Sequence, residues 1–181
     1  AIAFEKAGII KPEIPVVIGE YTNETKPDFE TKAEENNSKI YFASDIISQT
    51  YPSDLVGDYQ EHNKKTVIQT IHILNKQKEF KISETNIKSG LLNVIKNTGL
   101  EGRWQQLGES PKIICDTAHN KNGLEIVMKQ IQKEKFDTLH IVLGVVNDKD
   151  LDEVLPLFPN NAIYYFCKPN IPRGLDAQIL K

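Results

Sequence analysis

The stretch that decides the fold is KIICDTAHN, at residues 112–120. It opens with a short apolar run typical of a buried strand, and the residues after it carry apolar side chains at helical spacing. An acid, an imidazole and an amide therefore lie where a strand ends and a helix begins. Ligands bind at the carboxyl ends of strands in open α/β sheets, and a helix N-terminus there favours a phosphate. The stretch thus predicts an α/β fold with a candidate nucleotide site.

Two more strand–helix units follow the first. The predicted strands are residues 112–115, 139–145 and 162–167, and the predicted helices are residues 122–133, 149–157 and from Gly174 onward. The first helix has a clean apolar face made by Leu124, Val127, Met128 and Ile131. Three such units in a row predict a Rossmann-like, largely parallel sheet.

Polar residues gather after each of these three strands, and a parallel sheet places all three groups at one edge. The groups are Asp116, His119 and Asn120, then Asn147, Asp148 and Asp150, then Lys168, Asn170 and Arg173. Spacing alone leaves two interpretations open, a binding edge or ordinary solvated loops.

The first hundred residues have a different pattern. A short helix ending at Gly8, a strand at residues 16–18, a helix at residues 26–36 and a strand at residues 39–43 predict a parallel β-α-β unit. A helix from about His62 should bury Val67, Ile68, Ile71 and Leu74, and a helix capped by Ser83 should bury Ile87, Leu91, Leu92 and Ile95. A boundary is predicted near residues 100–102, with a turn at residues 108–111.

Composition excludes several classes of protein. The 181 residues are 39% hydrophobic with a net charge of only −3, which gives no basic face for nucleic acid. No apolar run approaches the roughly 20 residues that span a bilayer, and no leader opens the chain. Cys115 and Cys167 lack zinc-site spacing and are expected to be reduced and buried. We expect a soluble, cytoplasmic protein.

Five blocks of sequence resemble the folylpolyglutamate synthase family, which includes bifunctional dihydrofolate synthases and belongs to the Mur-ligase superfamily. The blocks are IAFEKAGIIKP at residues 2–12, GDYQEHN at residues 57–63, GRW at residues 102–104, DTAHN at residues 116–120, and the late KP and PR pairs at residues 168–169 and 172–173. They occur in the family's order over nearly the whole chain. The glutamate-lysine-alanine-glycine-isoleucine core of the first block is fairly specific.

The resemblance implies a domain organisation and a reaction. Residues 1–100 would be the C-terminal part of the central ATP-binding domain, and residues 101–181 an incomplete Rossmann-like C-terminal ligase domain. No P-loop motif occurs, so we expect a fragment that is inactive alone. The family's reaction activates a folate or dihydropteroate carboxylate with ATP and Mg²⁺, and L-glutamate then attacks the acyl phosphate. A monomer is expected, with no nucleic-acid or membrane partner.

Two residues of the first half match the family's functional positions. Lys6 matches a lysine that carries a carbamate and binds Mg²⁺, in a catalytic and metal-binding role. Carbamylation needs an unprotonated amine, which burial favours, and the alternative is a surface lysine on a short helix. Asn63 matches an asparagine that contacts ATP; the alternative is an exposed residue in the first turn of a helix.

Three residues of the second half match functional positions as well. Arg103 matches an ATP-contacting arginine, and the alternative is a linker residue paired with Glu101 or Glu109. Asp116 matches an aspartate at the ATP ribose; the alternative is an N-cap. His119 would orient phosphate or substrate, and the alternative is a hydrogen-bonded histidine at a helix start. Thr117 stands where the family commonly has glycine.

Two rival functions remain open at this stage. Another Mur-type amino-acid ligase, such as one for cell-wall precursors, would share the acyl-phosphate chemistry. A noncatalytic Rossmann-like binding module would lack it.

Overall fold

The computed structural model describes residues 2–78 and 80–181. The chain forms two compact units, which divide between Glu101 and Gly102. In chain order the first unit contains α1 (Ile2–Ala7), β1 (Val16–Ile18), α2 (Lys26–Glu35), β2 (Ile40–Phe42), α3 (Ala43–Ile46), α4 (Gln60–Lys76), α5 (Glu84–Leu92) and α6 (Val94–Thr98). The second contains β3 (Gln105–Glu109), β4 (Lys112–Cys115), α7 (Lys121–Ile131), β5 (His140–Leu143), α8 (Leu151–Val154), a 3₁₀ turn (Leu155–Leu157) and β6 (Ile163–Phe166).

The predicted parallel β-α-β unit is confirmed in the first unit. Strands β1 and β2 pair in parallel, with Val17 opposite Tyr41. Helices α1 and α2 pack together over this pair, where Ala3, Ala7, Ile10 and Phe29 form a buried cluster against Val16, Ile18 and Ile40. Only the small-residue face of α1 is buried, so its other side chains point away from this core.

The second core of the first unit joins α4 and α5. Ile68, Ile87 and Leu91 are buried there together with Ile47. The predicted cap is confirmed, since the Ser83 hydroxyl accepts from the backbone N–H of Asn86 at 3.1 Å in a capping box.

Three predicted core positions in these helices are wrong. Val67, Leu92 and Ile95 are 43%, 51% and 38% exposed. Helix α5 ends at Leu92, and α6 starts afresh at Val94, so the helical register does not carry through Asn93. Val67 lies beside the buried stripe of α4 rather than on it. The apolar periodicity located the helices correctly, but it predicted more buried positions on them than the structure has.

The second unit confirms the α/β class, and its sheets are two separate pairs. Strands β5 and β6 pair in parallel, with Val142 opposite Tyr165, as the sequence predicts. Helix α7 buries Leu124, Val127 and Met128 on the face that the pattern assigned to the core. Strand β4 has the predicted bounds, but its hydrogen-bonded partner is the preceding strand β3 in an antiparallel hairpin with a bulge.

The second unit differs from the prediction in two places, one strand that was missed and one helix that is absent. Strand β3 was not predicted, because QQLGE has no alternation of apolar and polar residues and gains its strand geometry from pairing with β4. No helix starts at Gly174. The backbone there pairs with the end of β5 instead, since Leu175 N–H donates to Val145 O and Asn147 N–H donates to Arg173 O, both at 2.9 Å.

Both cysteines are free, as expected, but neither has the full burial that was expected. Cys115 is half-buried and Cys167 is exposed. None of the helices in the described part of the chain combines the length and the apolar character that a membrane-crossing helix requires.

Candidate functional site

Asp116 joins two loops at the start of the second unit. Its Oδ2 accepts a hydrogen bond from the backbone N–H of Trp104 at 2.7 Å, and its Oδ1 accepts one from Ala118 N–H at 2.8 Å. Bonds from N–H groups to a carboxylate are stronger than neutral ones. The carboxylate therefore holds the loop before β3 against the loop after β4. Trp104 is buried, with a positive φ of 51°, so this loop adopts a conformation that few residues take unaided.

The guanidinium of Arg103 lies against the same loop. Its Nη1 donates to the Thr117 hydroxyl and to the Gly102 carbonyl, the latter at 3.2 Å. Neither Glu101 nor Glu109 forms an ion pair with it among the described residues, so the linker pairing considered as an alternative is not observed. The structure thus brings Arg103 and Asp116 together in one pair of loops. Their ATP-binding roles stay predictions.

Asn120, not Asp116, caps the helix that follows. Its side-chain oxygen accepts from Gly123 N–H at 2.8 Å at the N-terminus of α7. The N-cap alternative for Asp116 is therefore wrong. His119 is exposed, and its Nδ1 lies 3.1 Å from the Thr117 carbonyl. Because a carbonyl can only accept, this contact requires a proton on Nδ1.

A cavity of about 360 Å³ opens beside His119 in the second unit. Leu143 at the end of β5 and Val146 in the loop after it form part of its wall, and Lys149 and Arg173 supply basic groups. The volume lies within the range of small-molecule sites, and the combination of apolar walls with a few polar groups is typical of them. The cavity can enclose a small anionic molecule.

Only two of the predicted polar groups supply a residue to the cavity, His119 from the first and Arg173 from the third; after β5 the lining residue is Lys149, which was not predicted. His119 comes from the loop after β4, Lys149 from the loop after β5 and Arg173 from the loop after β6. Arg173 Nη1 also lies 3.0 Å from Asp148 Oδ2. Asp150, by contrast, caps α8 by accepting from two backbone N–H groups. The sequence identified the edge but not Lys149 as a member of the site.

Asn63 lies in the first unit, in the first turn of α4. It is exposed, and its amide nitrogen donates to Gln60 Oε1 at 3.0 Å. Lys64 beside it is buried, and its ammonium donates to the Tyr51 carbonyl at 3.0 Å and pairs with Glu61. The irregular segment before α4 is therefore held to the helix at the turn that carries Asn63. Its ATP-binding role stays a prediction.

Glu61 provides a pH-dependent part of this anchor. The ammonium of Lys64 and then the Thr50 hydroxyl, both hydrogen-bonded to the carboxylate, hold the pKa of Glu61 below its usual value. A lowered pKa stabilises the fold above the unfolded-state pKa, and that contribution is lost as pH falls through the folded-state pKa.

The free energy of unfolding of the parent should fall as the pH is lowered from about 5 to about 3. We expect a smaller fall for Glu61→Gln, because glutamine has no carboxylate to protonate. The effect should stay below about 1 kcal/mol, because Glu61 is more than half exposed to screening solvent. Urea unfolding at a series of pH values measures it. The matched control is Glu30→Gln, in the looser pair with Lys26 at 3.8 Å. Equal slopes for the two variants would contradict the assignment.

Lys6 lies on α1 and is exposed. The burial expected for a carbamylated lysine is thus wrong in this structure, which has the geometry of the alternative, a surface lysine on a six-residue helix. No group of three or more histidine, cysteine, aspartate or glutamate side chains in the described ranges could hold a metal ion. The carbamate and Mg²⁺ roles of Lys6 stay predictions.

The second unit coincides with a known domain type. Residues 102–181 match the family model described as "Mur ligase, glutamate ligase domain". The α/β unit with its cavity at the strand ends is therefore a Mur ligase glutamate ligase domain.

Whole-chain relatives extend this match into the first unit. The chain is 28% identical to the folylpolyglutamate synthase of Lacticaseibacillus casei over 97% of its length and 46% of that protein. It is 27% identical to the dihydrofolate synthase/folylpolyglutamate synthase of Escherichia coli K12 over 99% of its length and 44% of that protein. Together, the domain match and these relatives support the folylpolyglutamate synthase family of the Mur-ligase superfamily for this chain.

A solved structure shares the fold of this chain. The folylpolyglutamate synthase of Mycobacterium tuberculosis complexed with ADP superposes with a TM-score of 0.84 at 20% identity, over 99% of this chain and 45% of that one. The chain spans about half the length of the curated relatives and of this structure.

Proposed function

We propose that the protein to which this chain belongs is an ATP-dependent ligase that adds L-glutamate to a folate, and to dihydropteroate if it is bifunctional. The observation that carries the proposal is the loop pair of the second unit: Asp116 and Arg103 bond within it, and its next residues, Ala118 and His119, line the cavity. The relatives named for these two activities support the same choice.

The reaction would join a carboxylate to an amine through an acyl phosphate. The folate carboxylate oxygen attacks the γ-phosphorus of ATP, and ADP leaves. The amine of glutamate then attacks the acyl carbon, a proton leaves the nitrogen, and phosphate departs. Such chemistry depends mainly on positioning and on neutralising the charge of the phosphoryl group.

The residues of this chain have distinct proposed tasks. Arg103 would bind phosphate oxygens through its planar fork, and Asp116 would contact the ribose. Asn63 would offer its amide to the nucleotide. Nε2 of His119 would accept a hydrogen bond from the glutamate amine and so orient it toward the acyl carbon.

We propose that the cavity beside His119 receives L-glutamate. Lys149 and Arg173 at its wall can pair with the two carboxylates of this amino acid, and the apolar wall can cover its methylene groups. ATP chemistry of this kind uses Mg²⁺, but the described residues do not make a magnesium site by themselves. Lys6 as a carbamate would add one oxygen ligand, the type that Mg²⁺ prefers. Two free cysteines agree with a reducing, cytoplasmic environment.

The test is a panel of acceptors with the full-length protein. ADP release should require ATP, L-glutamate and a folate-type acceptor together, and a nucleotide-sugar acceptor should not replace the folate. If the acceptor carboxylate is labelled with oxygen-18, one label should appear in the released phosphate, because the acyl phosphate passes that oxygen on. Turnover with the nucleotide sugar would indicate a cell-wall ligase, and no turnover with any acceptor would overturn the proposal.

A further inference from the structure

Thr117 links the loop after β4 to the Gly102 carbonyl and to the Arg103 guanidinium. Its backbone N–H donates to Gly102 O at 3.0 Å, and its hydroxyl donates to the same carbonyl at 3.1 Å. The hydroxyl oxygen in turn accepts from Arg103 Nη1. A hydroxyl has one proton to donate and two lone pairs, so it can make both bonds at once. Thr117 is thus the only side chain in the described residues with a hydrogen bond to this guanidinium.

This contact determines which edge of the guanidinium remains for a ligand. Arginine has five N–H donors in a fixed plane, and the two on Nη1 are directed at Thr117 and Gly102. Among the described residues no hydrogen bond uses Nε or Nη2 of Arg103. These two nitrogens form the edge that binds two oxygens of one phosphate in parallel. Holding Nη1 therefore presents a complete bidentate edge in a fixed orientation.

The methyl group of Thr117 lies against Gly102 and leaves no room for a side chain there. Gly102 has a φ of +67°, and a Cβ placed on it would lie 2.5 Å from Thr117 Cγ2. The threonine thus fills the space that a side chain at position 102 would need, and the glycine can approach the loop closely enough for its carbonyl to accept three bonds.

We propose that Thr117 is a positioning residue that orients Arg103 for the phosphate chain of the nucleotide. It acts through Arg103 and does not itself contact the nucleotide. The inference rests on the proposed ATP-binding role of Arg103. The resembled family commonly has glycine at the position of Thr117. Because glycine has no hydroxyl, the bond that holds the arginine is particular to this chain.

The first test compares Thr117→Val with Thr117→Ser in the full-length protein. Valine keeps the shape but removes the hydroxyl, whereas serine keeps the hydroxyl and removes the methyl. We expect Thr117→Val to raise the KM for ATP roughly tenfold, the scale of a hydrogen bond to a charged group, with kcat and the KM for glutamate little changed. Thr117→Ser should stay close to the parent. Equal behaviour of the two variants would overturn the proposal.

A double-mutant cycle tests whether the effect passes through Arg103. In an Arg103→Ala background, Thr117→Val should have no further effect on the KM for ATP, because the group that it positions is gone. Additive effects would show that Thr117 acts by another route and would also overturn the proposal.

A second measurement does not depend on the proposed activity. In ¹⁵N NMR spectra of this chain, rotation about the Arg103 guanidinium bonds should be slow in the parent and in Thr117→Ser, and faster in Thr117→Val. If the parent protein shows no ligase activity but this difference is found, the proposed function fails while the link between Thr117 and Arg103 stands. If rotation is the same in all three, the positioning role fails whatever the reaction is.

Discussion

Asp116→Asn is expected to destabilise the second unit by about 1–3 kcal/mol and to lower kcat/KM for ATP roughly 10- to 100-fold. Both carboxylate oxygens accept backbone N–H bonds, from Trp104 and Ala118. An asparagine amide has only one acceptor oxygen, so its NH₂ group must face one of these donors. The variant keeps the shape of the side chain but replaces an attraction with a donor–donor contact.

Two measurements separate the stability effect of Asp116→Asn from its effect on the reaction. Urea unfolding of this chain reports the first, and steady-state kinetics of the full-length protein at a temperature where the variant stays folded reports the second. Asp137→Asn is the control, because it removes one carboxylate at an exposed position of the same unit. A variant as stable and as active as Asp137→Asn would contradict both the structural and the nucleotide-binding role.

The elements that the sequence predicted well are those that local patterns determine. Helix α7 buries the apolar stripe that its spacing indicated, and Ser83 caps α5 with a bond to a residue three positions away. The parallel pairing of β1 and β2 followed from the helix between them. In each case the determining residues lie within one or two turns of each other, or a general rule of chain connection applies.

The elements that were missed depend on partners far along the chain. Strand β3 exists because β4 pairs with it, and residues 173–175 form no helix because they pair with residues 145–147, which follow β5. Propensity is a weak guide where tertiary pairing supplies the hydrogen bonds. The local sequence of such a segment does not show which distant residues will pair with it.

The sequence predicted which loops carry the candidate site, but not the contacts that hold its residues in position. Strand ends located the polar loops, and the resemblance selected Arg103 and Asp116 from them. The way in which they are held together depends on Trp104 N–H, on the positive φ of Gly102 and on the Thr117 hydroxyl, none of which has a sequence signal of its own. The basic lining of the cavity by Lys149 and Arg173 likewise appears only once three loops converge.

Lys6→Arg is expected to abolish most of the ligase activity of the full-length protein, by at least roughly 100-fold, while leaving its stability unchanged. In carbamylation the neutral lysine nitrogen bonds to the carbon of CO₂ and loses a proton, which leaves an anionic oxygen. Arginine retains a positive charge but does not form this product. Loss of one preorganised charge near a reacting phosphoryl group costs on the order of 100-fold in rate.

The position of Lys6 makes this result interpretable. It lies on the exposed side of α1, whereas Ala3 and Ala7 form the buried side, so the substitution does not disturb the core. Lys11→Arg is the control, since Lys11 is also exposed and contributes its backbone carbonyl, not its side chain, to the bond with Ser38.

Activity that requires a carbamate should also depend on dissolved CO₂. Activity of the parent should fall when bicarbonate is removed and return when it is added, and ¹³C-labelled bicarbonate should give a carbamate signal that Lys6→Arg lacks and Lys11→Arg keeps. If Lys6→Arg and Lys11→Arg are equally active, Lys6 is the surface lysine that its exposure suggests, and the metal ligands of the reaction lie elsewhere.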